Sequence, residues 1–235
     1  MWDTQWETFG ERHRVLRYDM RGFGRSPYEP GVFSHGADLV ELLERHELAP
    51  ASLVGVSLGG RVALEVAVAR PDLVDALVLV GSGFPGHDWS DEMQAAWKEE
   101  EDAYNRGDLD AAVEVVLRTW VAGPRRSPED VDPEVRARVA EMQRRAYELE
   151  QQLDGEADEE MLVPDLADRL GDVGAPTLVV TGTEDVPDIQ AISSKLAREI
   201  PGARTASIAG VAHVPSMERP EEFDALVLEF LDSER

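Results

Sequence analysis

The stretch Ser52-Leu53-Val54-Gly55-Val56-Ser57-Leu58-Gly59-Gly60 runs from a short apolar segment into a serine that has a glycine two positions away on either side. A helical pattern follows over residues 61–69, so this serine lies where a buried strand meets a helix. A G-x-S-x-G pattern alone is weak, because it arises by chance in about one chain in ten of this length. Its position at a strand-to-helix junction makes it much more specific.

Glycines at such a junction allow a sharp turn that lifts the hydroxyl of Ser57 clear of the sheet. The same turn points the backbone N–H of Leu58 at the place where negative charge would develop on a reacting carbonyl. Ser57 is therefore the candidate nucleophile, and Leu58 is the candidate oxyanion donor. The alternative is a Gly-Ser turn that only packs a strand on a helix.

Short apolar runs alternate with amphipathic stretches through most of the chain. The pattern predicts strands at 15–18, 52–56, 76–80, 176–180 and near 205–208, and helices over 36–48, 61–69, 188–199 and 220–231. Apolar strands that alternate with helices are typical of a parallel sheet buried on both faces. The fold class is therefore α/β, with a mostly parallel sheet covered by helices.

Residues 86–165 differ in character, because they hold 23 acidic and 9 basic residues and their apolar positions follow helical spacing. We interpret them as a helical insertion between two parts of one core, 1–85 and 166–235. The acidic stretch Asp154–Glu160 is predicted to be a solvated turn.

A serine hydroxyl needs a general base, and the base needs a carboxylate to orient it. His213 lies in a loop just after the last predicted strand, and Asp185 directly follows the strand at 176–180. Both belong to loops at strand ends, where catalytic side chains gather in sheet proteins. Asp188 is predicted to cap the helix that follows, and Glu184 is a weaker candidate for the acid.

The formal net charge of −25, from 23 Lys+Arg and 48 Asp+Glu, argues against a nucleic-acid or anionic-membrane partner. The absence of cysteine excludes disulfides, thiolate zinc sites and cysteine nucleophiles. Five scattered histidines include no H-x-x-x-H pair, so we expect neither a metal nor a cofactor.

Without a signal-peptide pattern or a run of about 20 apolar residues, a cytoplasmic protein is the expectation. The acidity has two open explanations, adaptation to high salt and a biased genome.

Three motifs together resemble the serine-dependent branch of the α/β-hydrolase superfamily, which includes small esterases, enol-lactonases and carbon–carbon hydrolases. They are the loop Asp19–Ser26, the turn Gly55–Gly60, and Ala209–His213 followed by Glu218-Arg219-Pro220. The order Ser57, Asp185, His213 also matches this superfamily. The resemblance implies hydrolysis of a small ester, lactone or related carbonyl compound through a Ser-His-Asp triad and an acyl-enzyme.

The resemblance also implies that 86–165 forms a lid over the serine, above a pocket for a small-molecule substrate. The candidate pocket residues are apolar or aromatic: Phe84, Trp89, Trp120, Val214 and Met217. Each tryptophan has the alternative of holding lid helices together. Two other functions stay open, a non-catalytic ligand-binding homologue and a cofactor-free perhydrolase or haloperoxidase, and a homodimer is also open.

The beginning of the chain departs from the family pattern. Members of the superfamily have three strands before the helix that residues 1–11 resemble, and the third leads into a His-Gly loop with a second oxyanion donor. Loss of that central strand would leave two buried strand edges unpaired, and loss of one oxyanion donor typically lowers turnover by about 10²–10³. We therefore expect the natural enzyme to begin further upstream, with re-paired strands and impaired activity as the alternative.

Overall fold

The computed structural model describes residues 1–234, in which helices surround a parallel sheet. The strands, numbered in chain order, are β1 (Gly31–Phe33), β2 (Ala51–Val56), β3 (Val74–Val80), β4 (Ala157–Glu159), β5 (Thr177–Gly182) and β6 (Arg204–Ile208). The α-helices are α1 (Asp3–Gly10), α2 (His35–Arg45), α3 (Leu58–Ala69), α4 (Asp91–Asn105), α5 (Leu109–Val116), α6 (Pro133–Gln151), α7 (Pro187–Glu199), α8 (Pro215–Glu218) and α9 (Pro220–Ser233). A π-helical segment, Leu117–Ala122, continues α5.

The main sheet has four parallel strands in the order β2-β3-β5-β6. Central β3 is buried along 76–80, as expected for a nearly continuous apolar run with helices on both faces. On one face, α3 contributes side chains such as Leu64 to a cluster with Leu77 and Leu79. On the other face, Phe223 and Phe230 of α9 pack with the alternate side chains of the strands. The predicted α/β fold is therefore confirmed.

The predicted strand at 15–18 is wrong, because this segment has no regular secondary structure. Strand geometry requires a hydrogen-bonded neighbour, and within residues 1–234 the ladder of the main sheet ends at β2. Val15 still packs against the apolar cluster beneath α9. Val15 and Tyr18 are thus partly buried without strand pairing, and Leu16 is exposed.

The region 86–165 is largely helical, with α4, α5, the π-helical segment and α6. It also holds β4, where the sequence predicted a solvated acidic turn; the turn is wrong at 157–159, whereas Asp158 and Glu159 are exposed as predicted. β4 pairs in parallel with β1, and Glu159 forms an ion pair with Arg61 of α3. The role of this region as a lid stays a prediction. None of the helices formed by residues 1–234 is long and apolar enough to cross a membrane.

Candidate active site

Ser57 lies between the last residue of β2 and the first residue of α3, with φ 54° and ψ −116°. A positive φ is strained for a residue with a side chain, and such strain is held where the surrounding structure fixes it. The turn is tight because a Cβ on Gly55 would lie 2.3 Å from the carbonyl carbon of Gly59. Glycine at 55 is therefore a steric requirement of the turn.

Backbone hydrogen bonds tie the turn at Ser57 to the carboxyl end of β3. The Ser57 N–H donates to the Val80 carbonyl at 3.0 Å, and the Ser57 carbonyl accepts from Gly83 N–H at 3.0 Å. Leu58 begins α3, so its N–H belongs to the first turn, which has no acceptor within the helix. The partly exposed Ser57 and this helix N-terminus thus face the same end of the sheet.

His213 and Asp185 form a buried hydrogen-bonded pair, with Nδ1 and Oδ2 2.9 Å apart. A carboxylate can only accept, so Nδ1 carries the hydrogen and Nε2 is left as the acceptor of the neutral ring. The other carboxylate oxygen, Oδ1 of Asp185, accepts from the Val186 N–H at 2.8 Å. Both oxygens are therefore engaged, which fixes the plane of the carboxylate and the orientation of the imidazole.

Gly81 locates this pair relative to Ser57. Gly81 follows β3, and a Cβ there would lie 3.0 Å from Nδ1 of His213 and 3.2 Å from Oδ2 of Asp185. The preceding residue, Val80, accepts the hydrogen bond from Ser57. The structure thus brings the three sequence-predicted residues, Ser57, Asp185 and His213, to the same end of β3.

The other two carboxylates near the acid loop have different partners. Glu184 pairs with Arg125, and the hydrogen bond from Arg125 lowers the pKa of the Glu184 carboxyl. The predicted capping role of Asp188 was wrong, because Val186 occupies the N-cap position of α7 and no side chain caps that helix. Asp188 instead accepts from Ser90 Oγ, Ser90 N–H and His87 Nε2, so it holds the start of α4 against α7.

Trp120 of the π-helical segment contacts His213 twice. Its carbonyl accepts from the His213 N–H at 3.1 Å, and its indole lies against the imidazole with ring centroids 4.6 Å apart. Helical segments leave their last carbonyls without partners in the segment, and π-helical turns are frequent at functional sites. Region 86–165 therefore contributes directly to the surroundings of His213.

The candidate pocket residues fall into two apolar clusters. Buried Phe84 and half-buried Trp89 and Trp120 belong to the cluster that also includes Leu58. Val214 and Met217 lie in a second cluster, formed with side chains of α5 and the π-helical segment. Contact of any of these side chains with a substrate stays a prediction.

Sequence reasoning missed two residues at this site, Arg126 and Glu218. Their buried ion pair lies beside the loop that carries His213. Glu218 stands in the motif that follows His213, which was a usable signal, whereas nothing in the sequence distinguished Arg126 from the other arginines. Across residues 1–234, no group of three or more His, Asp or Glu side chains is arranged to hold a metal ion.

Comparison with known proteins identifies related sequences and structures. The "Putative carbamate hydrolase RutD" of Rhizobium rhizogenes is 28% identical over 248 residues, which cover 98% of this chain and 87% of that protein. The thermophilic esterase of Thermogutta terrifontis has a TM-score of 0.76 at 26% identity, covering 99% of this chain and 85% of that one. Est816, described as an N-acyl homoserine lactone degrading enzyme, has a TM-score of 0.74 at 28% identity, covering 97% and 87%.

The family model of the alpha/beta hydrolase family matches residues 1–226, which is nearly the whole chain. This match agrees with the parallel sheet and with the strand–serine–helix turn that the structure contains. The chain belongs to the alpha/beta hydrolase family.

Proposed function

We propose that this hydrolase is a serine enzyme that cleaves a small ester, lactone or related carbonyl substrate through Ser57, His213 and Asp185. The observation that carries the proposal is the buried 2.9 Å hydrogen bond between His213 Nδ1 and Asp185 Oδ2. This pair lies at the end of β3, the strand whose Val80 carbonyl accepts the Ser57 N–H. A histidine held in this tautomer leaves Nε2 free to act as a general base.

The reaction begins when Ser57 Oγ attacks the substrate carbonyl carbon while His213 Nε2 takes the hydroxyl proton. Asp185 holds the resulting imidazolium in place through Nδ1–H. The Leu58 N–H, at the start of α3, stabilises the oxyanion of the tetrahedral intermediate. His213 then gives the proton to the leaving oxygen, which leaves an acyl group on Ser57. A water molecule, deprotonated by His213, then attacks the acyl carbon. The bond from that carbon to Ser57 Oγ breaks, His213 returns the proton to Oγ, and the acid is released.

Two kinds of observation support the substrate class. The relatives are named as a carbamate hydrolase, an esterase and a lactone-degrading enzyme, and each such substrate has a carbonyl carbon that bears a heteroatom leaving group. In this chain, Leu58 directly follows Ser57 and Trp120 contacts His213, and both belong with Phe84 to one apolar cluster, which suits an apolar acyl group.

Labelling by a fluorophosphonate tests the proposal, because this reagent reacts covalently with an activated serine. We expect the full chain to be labelled on Ser57, as located by mass spectrometry of peptides, and to hydrolyse p-nitrophenyl acetate. S57A is expected to do neither. S194A is the matched control, because Ser194 is an exposed serine of α7 whose hydroxyl bonds only to Gln190 in its own helix.

A folded protein that is not labelled on Ser57 and has no esterase activity would overturn the proposal. If small esters or lactones raise its Tm under the same conditions without turnover, the protein is a non-catalytic ligand-binding member of the family.

A further inference from the structure

The ion pair between Arg126 and Glu218 joins region 86–165 to the segment that follows His213. Nη1 of Arg126 lies 2.7 Å from Oε2 of Glu218, and Nη2 lies 3.1 Å from Oε1. The side chains are only 11% and 6% exposed. A bidentate pair of this kind holds one geometry, in contrast to exposed pairs, whose side chains reorient freely.

Arg126 also binds three backbone carbonyls. Its Nε donates to Ala122 at 2.9 Å and its Nη2 to Val121 at 2.6 Å, both at the end of the π-helical segment. Its Nη1 donates to Gly210 at 2.7 Å, in the loop that leads to His213. Together with the two bonds to the carboxylate, every N–H of the guanidinium has an acceptor. Arg126 is thus fixed by both of the segments that it joins.

The loop before His213 is held at three backbone groups by this arrangement. The Gly210 carbonyl accepts from Arg126, the Ala212 N–H donates to Oε1 of Glu218 at 2.9 Å, and the His213 N–H donates to the carbonyl of Trp120. Connecting loops are ordinarily the more mobile parts of a fold. Here contacts with Arg126, Glu218 and the π-helical segment help to hold the His213 backbone.

From these contacts we infer that Arg126 and Glu218 are a positioning pair, which sets the His213 loop so that the imidazole meets Ser57 and Asp185 together. The inference rests on the proposed function, since it gives the pair a role in presenting His213 as a base. A displacement of about 1 Å in a catalytic group costs on the order of 10²-fold in rate. Loss of the pair should therefore slow chemistry at Ser57 even in a protein that is still folded.

The test compares R126M, R126K and R118M in the full chain. Methionine keeps much of the length of the side chain but removes every donor, whereas lysine keeps the charge without the planar fork. Arg118 is the matched control, because it lies in the same π-helical segment but its side chain pairs only with exposed Glu99. The primary measurement is the rate at which a fluorophosphonate labels Ser57, and circular dichroism reports whether each variant is folded.

We expect R126M to label on the order of 10- to 100-fold more slowly than wild type, with R126K in between and R118M within about twofold of wild type. Addition of R126M to an H213A enzyme should change its residual labelling rate by less than about twofold, because the pair acts through His213. A folded R126M that labels as fast as R118M would overturn the inference. So would a double variant, R126M with H213A, whose labelling rate falls below that of H213A by the same factor that R126M alone causes.

Two further measurements keep the inference testable. If R126M does not fold, E218Q takes its place under the same criteria, because the glutamine keeps the shape of Glu218 but has one acceptor oxygen, so it cannot accept from both Nη1 and Nη2 of Arg126. If wild type is not labelled at all, the proposed function fails. The positioning role is then tested by NMR, through the far-downfield proton resonance of the His213 Nδ1–H. Its loss in R126M but not in R118M supports the positioning role, and an unchanged resonance in both overturns it.

Discussion

The indole of Trp120 covers the imidazole of His213, with ring centroids 4.6 Å apart and an angle of 43° between the ring planes. The same residue accepts the backbone N–H of His213 through its carbonyl. One residue of region 86–165 therefore acts on His213 by two separable means, because a substitution removes the ring and leaves the carbonyl in place.

W120A should weaken catalysis while the backbone hydrogen bond to His213 remains. Loss of the ring exposes the imidazole to water and removes an apolar wall, so we expect kcat/KM for p-nitrophenyl butyrate to fall about tenfold or more, with W120F in between. W6A is the control, because Trp6 is an exposed side chain of α1. Equal kcat/KM values for W120A and W6A would show that the indole has no role in the reaction.

D185N should abolish most of the turnover without unfolding the protein. An amide in place of the carboxylate no longer stabilises the Nδ1–H tautomer of His213, and this substitution in a Ser-His-Asp triad costs about 10⁴ in kcat. E184Q is the matched control, because Glu184 is the adjacent residue and pairs with Arg125. Steady-state kinetics that find similar losses in both variants would contradict the assignment of Asp185 as the acid.

G81A should damage both stability and activity. Gly81 has a φ of +46°, and a Cβ there would lie 3.0 Å from Nδ1 of His213. The left-handed backbone costs about 1–2 kcal/mol for alanine, and the methyl group must also displace the His213–Asp185 pair. We therefore expect a lower Tm together with a fall in kcat of about tenfold or more.

Gly202 provides a control for backbone strain alone. Its φ is +70°, and a Cβ would meet nothing within 4 Å. G202A should lower the Tm by less than G81A does, because it adds backbone strain without displacing a neighbour, and it should leave kcat unchanged. If G81A also keeps full activity, the close approach of Gly81 to the His213–Asp185 pair is not needed for turnover.

The sequence predicts well those features that depend on neighbours along the chain. The turn at Ser57 follows from an apolar strand, two glycines and a helical pattern within about 20 residues. The loops of Asp185 and His213 follow from the strands before them. What places these residues together is the parallel order of β2, β3, β5 and β6, because the carboxyl ends of such strands share one edge and Ser57, Asp185 and His213 follow β2, β5 and β6.

Features that depend on distant partners were missed. β1 and β4 have three residues each, which is too short to show the alternation of apolar and polar side chains that marks a strand. They form because they pair with each other across more than 100 residues. Residues 15–18 have a strand-like composition but no ladder partner. Asp188 stands where a helix cap is common, yet its carboxylate binds residues about 100 positions earlier. Local pattern specifies none of these pairings.

D188N tests the contact between α7 and the start of α4. Burial raises the pKa of Asp188, but the hydrogen bonds from Ser90 and His87 outweigh it and hold the pKa below its ordinary value of 3.8. A carboxyl group whose pKa is lower in the folded state stabilises the protein at pH values above the unfolded pKa. We expect D188N to lower the free energy of unfolding at pH 7 by about 1–3 kcal/mol, measured with urea.

The pH dependence separates this charge effect from simple loss of packing. As the pH falls through the folded pKa of Asp188, wild type loses the contribution of the carboxylate, so the difference between wild type and D188N should shrink below pH 3.8. D102N is the control, because Asp102 makes an exposed pair with Lys98 and should change stability by less than about 1 kcal/mol. A D188N difference that stays constant down to acid pH would mean that the charge of Asp188 does not hold α4 against α7, because a neutral side chain would then do as well.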